Sequence, residues 1–279
     1  MTSQKNASLG THVKSRFTAP SFWSAALLTE NPVFADVCHS FGLQNCQHWP
    51  APALLNLWRT DTRYRFVENA LFEADGRYYE EYIYATAQIP TRAQNWHDIF
   101  GALIWCLFPK TKALLNQLHM AEIAEHGLKQ RSRLRNKLTL FDECGLVLCL
   151  EPTALHHAEA LRNHQWQQSF LSQRQDWWRG IRPMIFGHAI YEMATQPFIG
   201  LTAKSFFVDV PAGFSQWCLT DAYSFIDNKL HEQIANGTVL LDNQQLTPLP
   251  LLGVPGWYNE NETAGFYNNT DYFRPLRIR

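Results

Sequence analysis

The feature that most constrains this chain is the stretch at residues 88–125, which contains its longest apolar run. Residues 99–108 are mostly apolar, and their apolar side chains recur at the spacing of a buried helix. Asn95 precedes this run and predicts a helix N-cap, whereas Pro109 predicts the first position of a following helix. The pair His97-Asp98 lies at the polar end of the run. We therefore expect two consecutive helices with a polar pair at their entrance.

The rest of the chain predicts an α+β fold that is mostly helical and carries short antiparallel strands in hairpins. Hairpins are expected at residues 65–84, around Asp75-Gly76, and at residues 138–150, around a turn at residues 142–145. Residues 204–210 predict another strand, and residues 248–256 predict an ordered loop rich in Pro and Gly. Further helices are predicted at residues 131–138, 151–161, 166–170, 177–181, 186–195 and 221–235.

No repeat or linker divides the chain, so we expect a flexible tail at residues 1–16 and one globular domain at residues 17–279. Hydrophobic residues make up 46% of the chain and charged residues 18%, which is typical of a globular protein. The formal net charge of −1 gives no overall attraction to nucleic acid or to an anionic membrane.

Cysteine spacing and the lack of long apolar runs indicate where such a protein would reside. The six cysteines form no C-x-x-C pair, which favours free thiols in a reducing compartment over a zinc or disulfide framework. No apolar run approaches the roughly 20 residues that cross a bilayer. Residues 1–20 contain no apolar core of a signal peptide. We therefore expect a cytoplasmic protein without a membrane partner.

The first candidate site residues are His97 and Asp98, with Arg92 close by in the sequence. An imidazole beside a carboxylate can act as an acid, a base or a metal ligand. The guanidinium of Arg92 can bind two oxygens of an anionic substrate group. The alternative is structural, because Asn95 as N-cap would place Asp98 in the first helical turn, where a carboxylate favours the free N–H groups.

A second candidate lies in the predicted helix at residues 186–195. His188 and Glu192 are four residues apart, so they share one face of that helix. This spacing can present two ligands to one metal ion, or it can form an ordinary hydrogen-bonded pair. The sequence lacks the second histidine of the zinc motif H-E-x-x-H.

The acidic pair Asp142-Glu143 is the third candidate, in the predicted turn at residues 142–145. Two carboxylates at a strand end can help to hold a divalent cation. The alternative is that Asp142 stabilises the turn through local backbone hydrogen bonds.

Residues 129–137 carry five cations in nine positions, and no other part of the sequence has so concentrated a positive charge. Such a run could bind phosphate groups. On a helix, however, the five side chains would spread around most of the circumference. A solvated helix with one or two arginines paired inward is the alternative, and no aromatic residues interleave the run to favour single-stranded nucleic acid.

Several short motifs occur in an ordered series along the chain. They are YEEYIY at 79–84, PTR at 90–92, NWHD at 95–98, FPKTK at 108–112, TLFDE at 139–143, FGHA at 186–189, GLTA at 200–203, PLP at 248–250, GVPGW at 253–257 and FRP at 273–275. Together they resemble a bacterial family of unknown function, DUF3025, from about Phe17 to Arg274. The resemblance implies a single bacterial cytoplasmic domain, and it implies no activity or catalytic residue.

Our leading hypothesis is a metal-dependent or acid–base hydrolase that acts on a small-molecule substrate. In the metal-dependent version the cofactor is a divalent metal ion, and the sequence leaves open which version applies. The expected metal ligands are His97, Asp98, Asp142, Glu143, His188 and Glu192. The expected catalytic residues are His97, Asp98, His188, Glu192 and Arg92. The hypothesis requires these distant residues to meet in one cavity.

Two alternatives remain open at this stage, so the sequence does not decide whether the chain is an enzyme. The first is a binding module without chemistry, whose aromatic residues at 257–273 would line a groove for a peptide or small molecule. The second is nucleic-acid binding through residues 129–137, which the neutral overall charge disfavours.

Overall fold

The computed structural model describes residues 17–237, 240 and 246–276. Its α+β composition, 56% helix and 13% strand, confirms the predicted mostly helical fold class. The helices are α1 (Ala25–Glu30), α2 (Ala35–Phe41), α3 (Pro52–Leu57), α4 (Asn69–Asp75), α5 (Tyr79–Thr86), α6 (Trp96–Leu107), α7 (Pro109–His126), α8 (Arg133–Cys144), α9 (His156–Arg162), α10 (His188–Ala194) and α11 (Leu219–Ala235). The strands are β1 (Arg65–Glu68), β2 (Gln88–Thr91), β3 (Gly145–Leu150), β4 (Ile181–Ile185), β5 (Thr202–Asp209) and β6 (Thr247–Pro250).

The tail predicted at residues 1–16 lies outside the described residues, and the boundary at residue 17 stays a prediction. Within the described ranges, no helix is both long and apolar enough to cross a membrane.

The larger sheet has the strand order β4-β3-β5-β6, with β3 antiparallel to β4 and parallel to β5. β3 is one of the two inner strands of this sheet, and all six of its residues are buried. The helix predicted at residues 177–181 is wrong, because residues 178–180 form a turn and Ile181 begins β4. The loop predicted at residues 248–256 is wrong at residues 248–250, which belong to β6. Neither β4 nor β6 was thus predicted as a strand. Each contains proline, at Pro183 in β4 and at Pro248 and Pro250 in β6. Proline is tolerated there because both strands are sheet edges, where a missing N–H breaks no ladder.

The hairpin predicted at residues 65–84 is wrong. Residues 79–86 form helix α5, and β1 pairs in parallel with β2 instead of with residues 78–84. Gly76 ends helix α4 in the left-handed conformation at φ 78°. The Asp-Gly sequence therefore serves a helix C-terminus, which needs the same positive φ as the predicted hairpin turn.

The strand predicted at residues 138–141 is also wrong, because these residues lie inside helix α8. Ser132 caps this helix by accepting a hydrogen bond from the Arg135 N–H at 3.1 Å. Arg135, Leu138 and Phe141 are buried at a spacing of three residues, which is one helix face. Asp142 and Glu143 consequently lie in the last turn of α8, immediately before β3, and not in a loop between two strands.

Helices α6 and α7 confirm the helix pair predicted at residues 88–125. Asn95 caps α6 by accepting a hydrogen bond from the Asp98 N–H at 3.0 Å, and Pro109 begins α7 as expected. Most of α6 is buried in the hydrophobic core, including Phe100 and Leu103.

The N-terminus of α7 receives its hydrogen-bond acceptor from a distant helix. Its own N-cap residue makes no side-chain hydrogen bond. Instead, the buried carboxylate of Asp227 in α11 accepts hydrogen bonds from the backbone N–H groups of Lys110 at 3.0 Å and Thr111 at 2.8 Å. This contact satisfies two unpaired N–H groups and fixes α11 against α7.

We predict that Asp227→Ala lowers the free energy of unfolding by about 2–4 kcal/mol, because two buried N–H groups lose their acceptor. Urea denaturation measures this change. Asp221→Ala is the matched control, since Asp221 is exposed in the first turn of the same helix. Its removal should cost less than about 1 kcal/mol. Equal losses for the two variants would contradict the capping role of Asp227.

Candidate functional site

Three side chains that are distant in the sequence meet at one point of the structure. The Nε2 atoms of His97 and His188 are 2.9 Å apart. The Oε2 atom of Glu143 lies 3.5 Å from Nε2 of His188 and 4.0 Å from Nε2 of His97. These atoms form one of the groups in the described residues that could hold a metal ion.

The three residues come together because three helix ends meet. His97 lies in the first turn of α6, His188 begins α10, and Glu143 lies in the last turn of α8. Gly187 makes this approach feasible. A Cβ atom at Gly187 would lie 2.4 Å from the Gly145 backbone nitrogen and 2.5 Å from the Glu143 carbonyl oxygen. Any larger residue would therefore separate α10 from the end of α8.

Glu192 contacts the opposite side of the His97 ring. Its Oε2 atom lies 2.9 Å from Nδ1 of His97. This hydrogen bond fixes the orientation of His97, as carboxylates do for metal-binding histidines. The pair expected within one helix, between His188 and Glu192, is replaced by this contact between α10 and α6.

The environments of the two histidines differ. Burial lowers the pKa of His188 to about 3, so this ring is neutral near pH 7. Burial also lowers the pKa of His97, but the hydrogen bond to Glu192 and the charges of Glu143, Glu192 and Asp98 outweigh it, and the net pKa is raised. At 2.9 Å, one Nε2 atom can donate a hydrogen bond to the other, and the tautomers of the two rings decide which one donates.

Two of the predicted site carboxylates are paired with cations instead. Asp142 forms an ion pair with Lys112, and both side chains are mostly buried. Asp98 accepts hydrogen bonds from Nε of Arg92 at 3.0 Å, from Nη2 at 2.7 Å and from its backbone N–H at 2.7 Å. The two oxygens of Asp98 thus occupy one forked face of Arg92, the face expected to bind a substrate anion. Both pairs lie beside the three-residue cluster and do not join it.

The cluster opens into a cavity of about 510 Å³. Its wall includes the aromatic side chains of Tyr79 and Trp105. It also includes three polar residues of α7 that were not predicted as site residues: Lys112, Asn116 and His119.

Two of the polar residues from α7 interact with neighbouring side chains: Lys112 is paired with Asp142, and Asn116 is hydrogen-bonded to Glu80. Asn116 donates hydrogen bonds to the backbone oxygen and the carboxylate of Glu80, at 2.9 and 2.7 Å, and its Oδ1 has no partner among the described residues. Burial lowers the pKa of His119 to about 4. The sequence signal for this wall was the spacing of Lys112, Asn116 and His119, which places three polar residues on one face of α7, the face that is buried.

The cations of the basic run at residues 129–137 are divided between exposed and buried positions, and two of the five are buried. Arg135 is buried, and its Nη1 donates hydrogen bonds to the carbonyl oxygens of Gly127, Leu128 and Gln130 at the end of α7. Lys137 is buried as well. The five cations therefore do not form one exposed surface for nucleic acid.

The aromatic residues near the C-terminus are packed inside the protein. Trp257, Tyr267, Tyr272 and Phe273 are all buried members of the hydrophobic core. Trp257 borders a small pocket of about 40 Å³, whereas the other three side chains pack in the core and not along the groove that the binding-module hypothesis expected.

The two neighbouring acids Asp142 and Glu143 should respond differently to substitution. Asp142→Ala leaves the ammonium of Lys112 buried without its partner, so we predict a loss of about 3–5 kcal/mol in the free energy of unfolding. Glu143→Ala removes a carboxylate whose pKa is raised by burial and by the charge of Asp142, and this change should cost less than about 1 kcal/mol. Urea denaturation in the presence of EDTA measures both. A loss for Glu143→Ala as large as that for Asp142→Ala would show that Glu143 is a structural residue.

Comparison with known proteins identifies the chain by family. Residues 64–277 match the family described as Protein of unknown function (DUF3025). The match begins at residue 64, later than the extent expected from Phe17. Neither the curated proteins nor the solved structures compared with the chain gave a match. Because the match covers most of the chain, this protein belongs to the DUF3025 family of proteins of unknown function.

Proposed function

We propose that His97, His188 and Glu143 bind one divalent metal ion of the zinc type, and that the protein is a metal-dependent hydrolase of small molecules. The observation that carries the proposal is the convergence of two imidazole nitrogens and one carboxylate oxygen, with separations of 2.9, 3.5 and 4.0 Å. The cavity of about 510 Å³ beside them has the size of a small-molecule site.

The donor set supports this choice of metal. Zinc commonly binds two imidazoles and one carboxylate in catalytic sites and leaves a further position open for water. A tetrahedral ion about 2.1 Å from each nitrogen requires a nitrogen–nitrogen distance of roughly 3.4 Å. The two Nε2 atoms, now 2.9 Å apart, would need to separate by only about half an ångström. The ion would take the place of the hydrogen bond between the two rings.

The proposal gives separate roles to the residues around the centre. Glu192 orients His97 through Nδ1, and His188 is held as the neutral imidazole that binds metals. Lys112 faces the cavity with its charge balanced by Asp142, where it can stabilise negative charge on a substrate oxygen. The metal, when bound, supplies a water molecule whose pKa is lowered toward about 7.

An acid–base mechanism without metal is the second candidate, and one observation favours it. The two Nε2 atoms are 2.9 Å apart, which is close enough for His97 and His188 to share a proton in a hydrogen bond. Such a proton could be transferred to a substrate in the cavity, with Glu192 stabilising the charge on His97. A measurement of metal binding separates the two mechanisms.

We expect the protein, stripped of metal and titrated with Zn²⁺ by calorimetry, to bind the ion with micromolar or tighter affinity. His188→Ala and Glu143→Gln should each weaken binding at this site by at least about tenfold, because each removes one of three ligands. His48→Ala is the matched control, since His48 is exposed and does not line the cavity. Unchanged zinc binding in both site variants would contradict the metal centre.

The hydrolase part is tested with the metal-loaded protein on p-nitrophenyl acetate, p-nitrophenyl phosphate and bis(p-nitrophenyl) phosphate. We expect turnover of at least one ester that requires the metal and falls at least about 100-fold in Glu143→Gln. Intact metal binding without turnover of any of these esters would contradict the hydrolase proposal and leave the metal centre standing.

A further inference from the structure

A second group of metal-binding side chains lies away from the cavity. His156 and His157 begin helix α9, and Asp176 ends a short 3₁₀ helix at Arg174–Asp176. The Oδ2 atom of Asp176 is 3.1 Å from Nε2 of His157 and 3.5 Å from Nε2 of His156. Two imidazole nitrogens thus face one carboxylate oxygen, and the three atoms lie within 4.8 Å of one another.

This group lies at the other end of the larger sheet from the three-residue cluster. Strand β3 follows Glu143 and leads to His156, whereas its antiparallel neighbour β4 follows Asp176 and leads to His188. The two clusters therefore lie at opposite ends of the same pair of strands. Six residues of β3 at about 3.3 Å each separate them by roughly 20 Å. One ion cannot serve both clusters.

The surroundings of His157 orient its ring toward Asp176. The side chain is fully buried, and its Nδ1 atom lies 2.7 Å from Oγ of Ser169, which is also buried. Without an ion, Nε2–H of His157 can donate a hydrogen bond to Oδ2 of Asp176 at 3.1 Å. With an ion bound, Nδ1–H would donate to Ser169, and the lone pair of Nε2 would face the ion between His156 and Asp176. A hydrogen bond to the outer ring nitrogen is the usual support of a metal-binding histidine.

The other two ligands leave that space open to solvent. The side chains of His156 and Asp176 are 43% and 30% exposed, so an ion can enter and a water molecule can complete its coordination. A third group, Glu122, Glu125 and His126, lacks such support, because all three lie on one helix and none is buried. It is explained as an ordinary surface ion pair.

We propose that His156, His157 and Asp176 bind a second divalent ion of the zinc type, independently of the cavity. Two imidazoles and one carboxylate suit zinc and its neighbours among the transition metals, whereas magnesium and calcium prefer oxygen ligands alone.

The role of this site is structural. The ion would join α9 to the segment Arg174–Asp176. Arg174, in the same segment, donates hydrogen bonds to the backbone and side-chain oxygens of Asn261, both at 3.1 Å, and to the hydroxyl of Tyr267 at 3.2 Å. The bound ion would thus stabilise the packing of the C-terminal segment against α9.

The Ser169–His157–Asp176 chain also has the order of residues found in serine hydrolases. Ser169 is fully buried, however, so no substrate can reach its hydroxyl. The solvent-exposed side chains of this group are His156 and Asp176, which can bind an ion, whereas the would-be nucleophile Ser169 is inaccessible.

The test is the zinc stoichiometry of full-length variants, measured by equilibrium dialysis with Zn²⁺ at low micromolar concentration. We expect two ions in the wild-type protein, one in His156→Ala and one in Asp176→Asn. His156 is exposed, so its replacement should leave the fold intact, and circular dichroism checks this. His48→Ala is again the control and should retain two ions.

The cavity site is removed separately in the double variant His188→Ala/Glu143→Gln. We expect this variant to keep one ion, and His156→Ala added to it should abolish tight binding. If the cavity binds no metal, the wild type would hold one ion that His156→Ala removes, so the two proposals can fail independently.

A thermal measurement tests the structural role. Zn²⁺ should raise the unfolding temperature of the double cavity variant by several degrees, because binding only to the folded state stabilises it. This rise should be lost when His156→Ala is added. Zinc stoichiometry that is unchanged by both His156→Ala and Asp176→Asn would overturn the proposal.

Discussion

The candidate site depends on one close approach of backbone to backbone. The start of α10 lies so near the junction of α8 and β3 that a Cβ atom at Gly187 would be 2.4 Å from the Gly145 nitrogen. This approach brings His188, the next residue, beside Glu143 at the end of α8. His97 then completes the cluster, because α6 packs against α10 and Glu192 of α10 binds its Nδ1 atom. The geometry of the cluster is thus set by the packing of helix ends, which is rigid, and not by a loop.

The distribution of charge around the cavity separates structural pairs from the residues of the proposed centre. Asp142 is paired with Lys112, and Asp98 is paired with Arg92. Within the described residues, Glu143 has only the two imidazoles within ion-pair distance. A partly buried carboxylate without a permanent cation is costly unless something else compensates its charge. A bound divalent cation would compensate the charge of Glu143. The same cation would be bound by the lone pairs of the Nε2 atoms of His97 and His188.

The sequence predicted the helical core well and the strands poorly. The Asn95 cap, the Pro109 start and the apolar run between them are local signals, and the structure confirms all three. The Asp75-Gly76 signal failed because a positive φ serves a helix end as well as a hairpin turn. The prolines of β4 and β6 argued against strands at these positions. A strand tolerates proline only at the edge of a sheet, and the sequence does not show which strands lie at the edge.

The sequence predicted which residue types form the site, but it did not predict which side chain contacts which partner. Asp98 and Glu192 have the same chemistry as Glu143, yet one binds Arg92 and the other orients His97. These partners lie in other elements, so no spacing along the chain reveals them. The polar wall from α7 was overlooked because Lys112 and His119 are buried, and their role is visible only once α5 and α8 enclose them.

The most direct test of the central claim is a crystal structure of the zinc-soaked protein with anomalous diffraction at the zinc edge. We expect an anomalous peak about 2.0–2.2 Å from Nε2 of His97, from Nε2 of His188 and from the carboxylate of Glu143. The Nδ1 atom of His97 should still be bound to Glu192. An empty cluster in which the two imidazoles remain in direct contact, under conditions that load zinc elsewhere in the crystal, would contradict the claim.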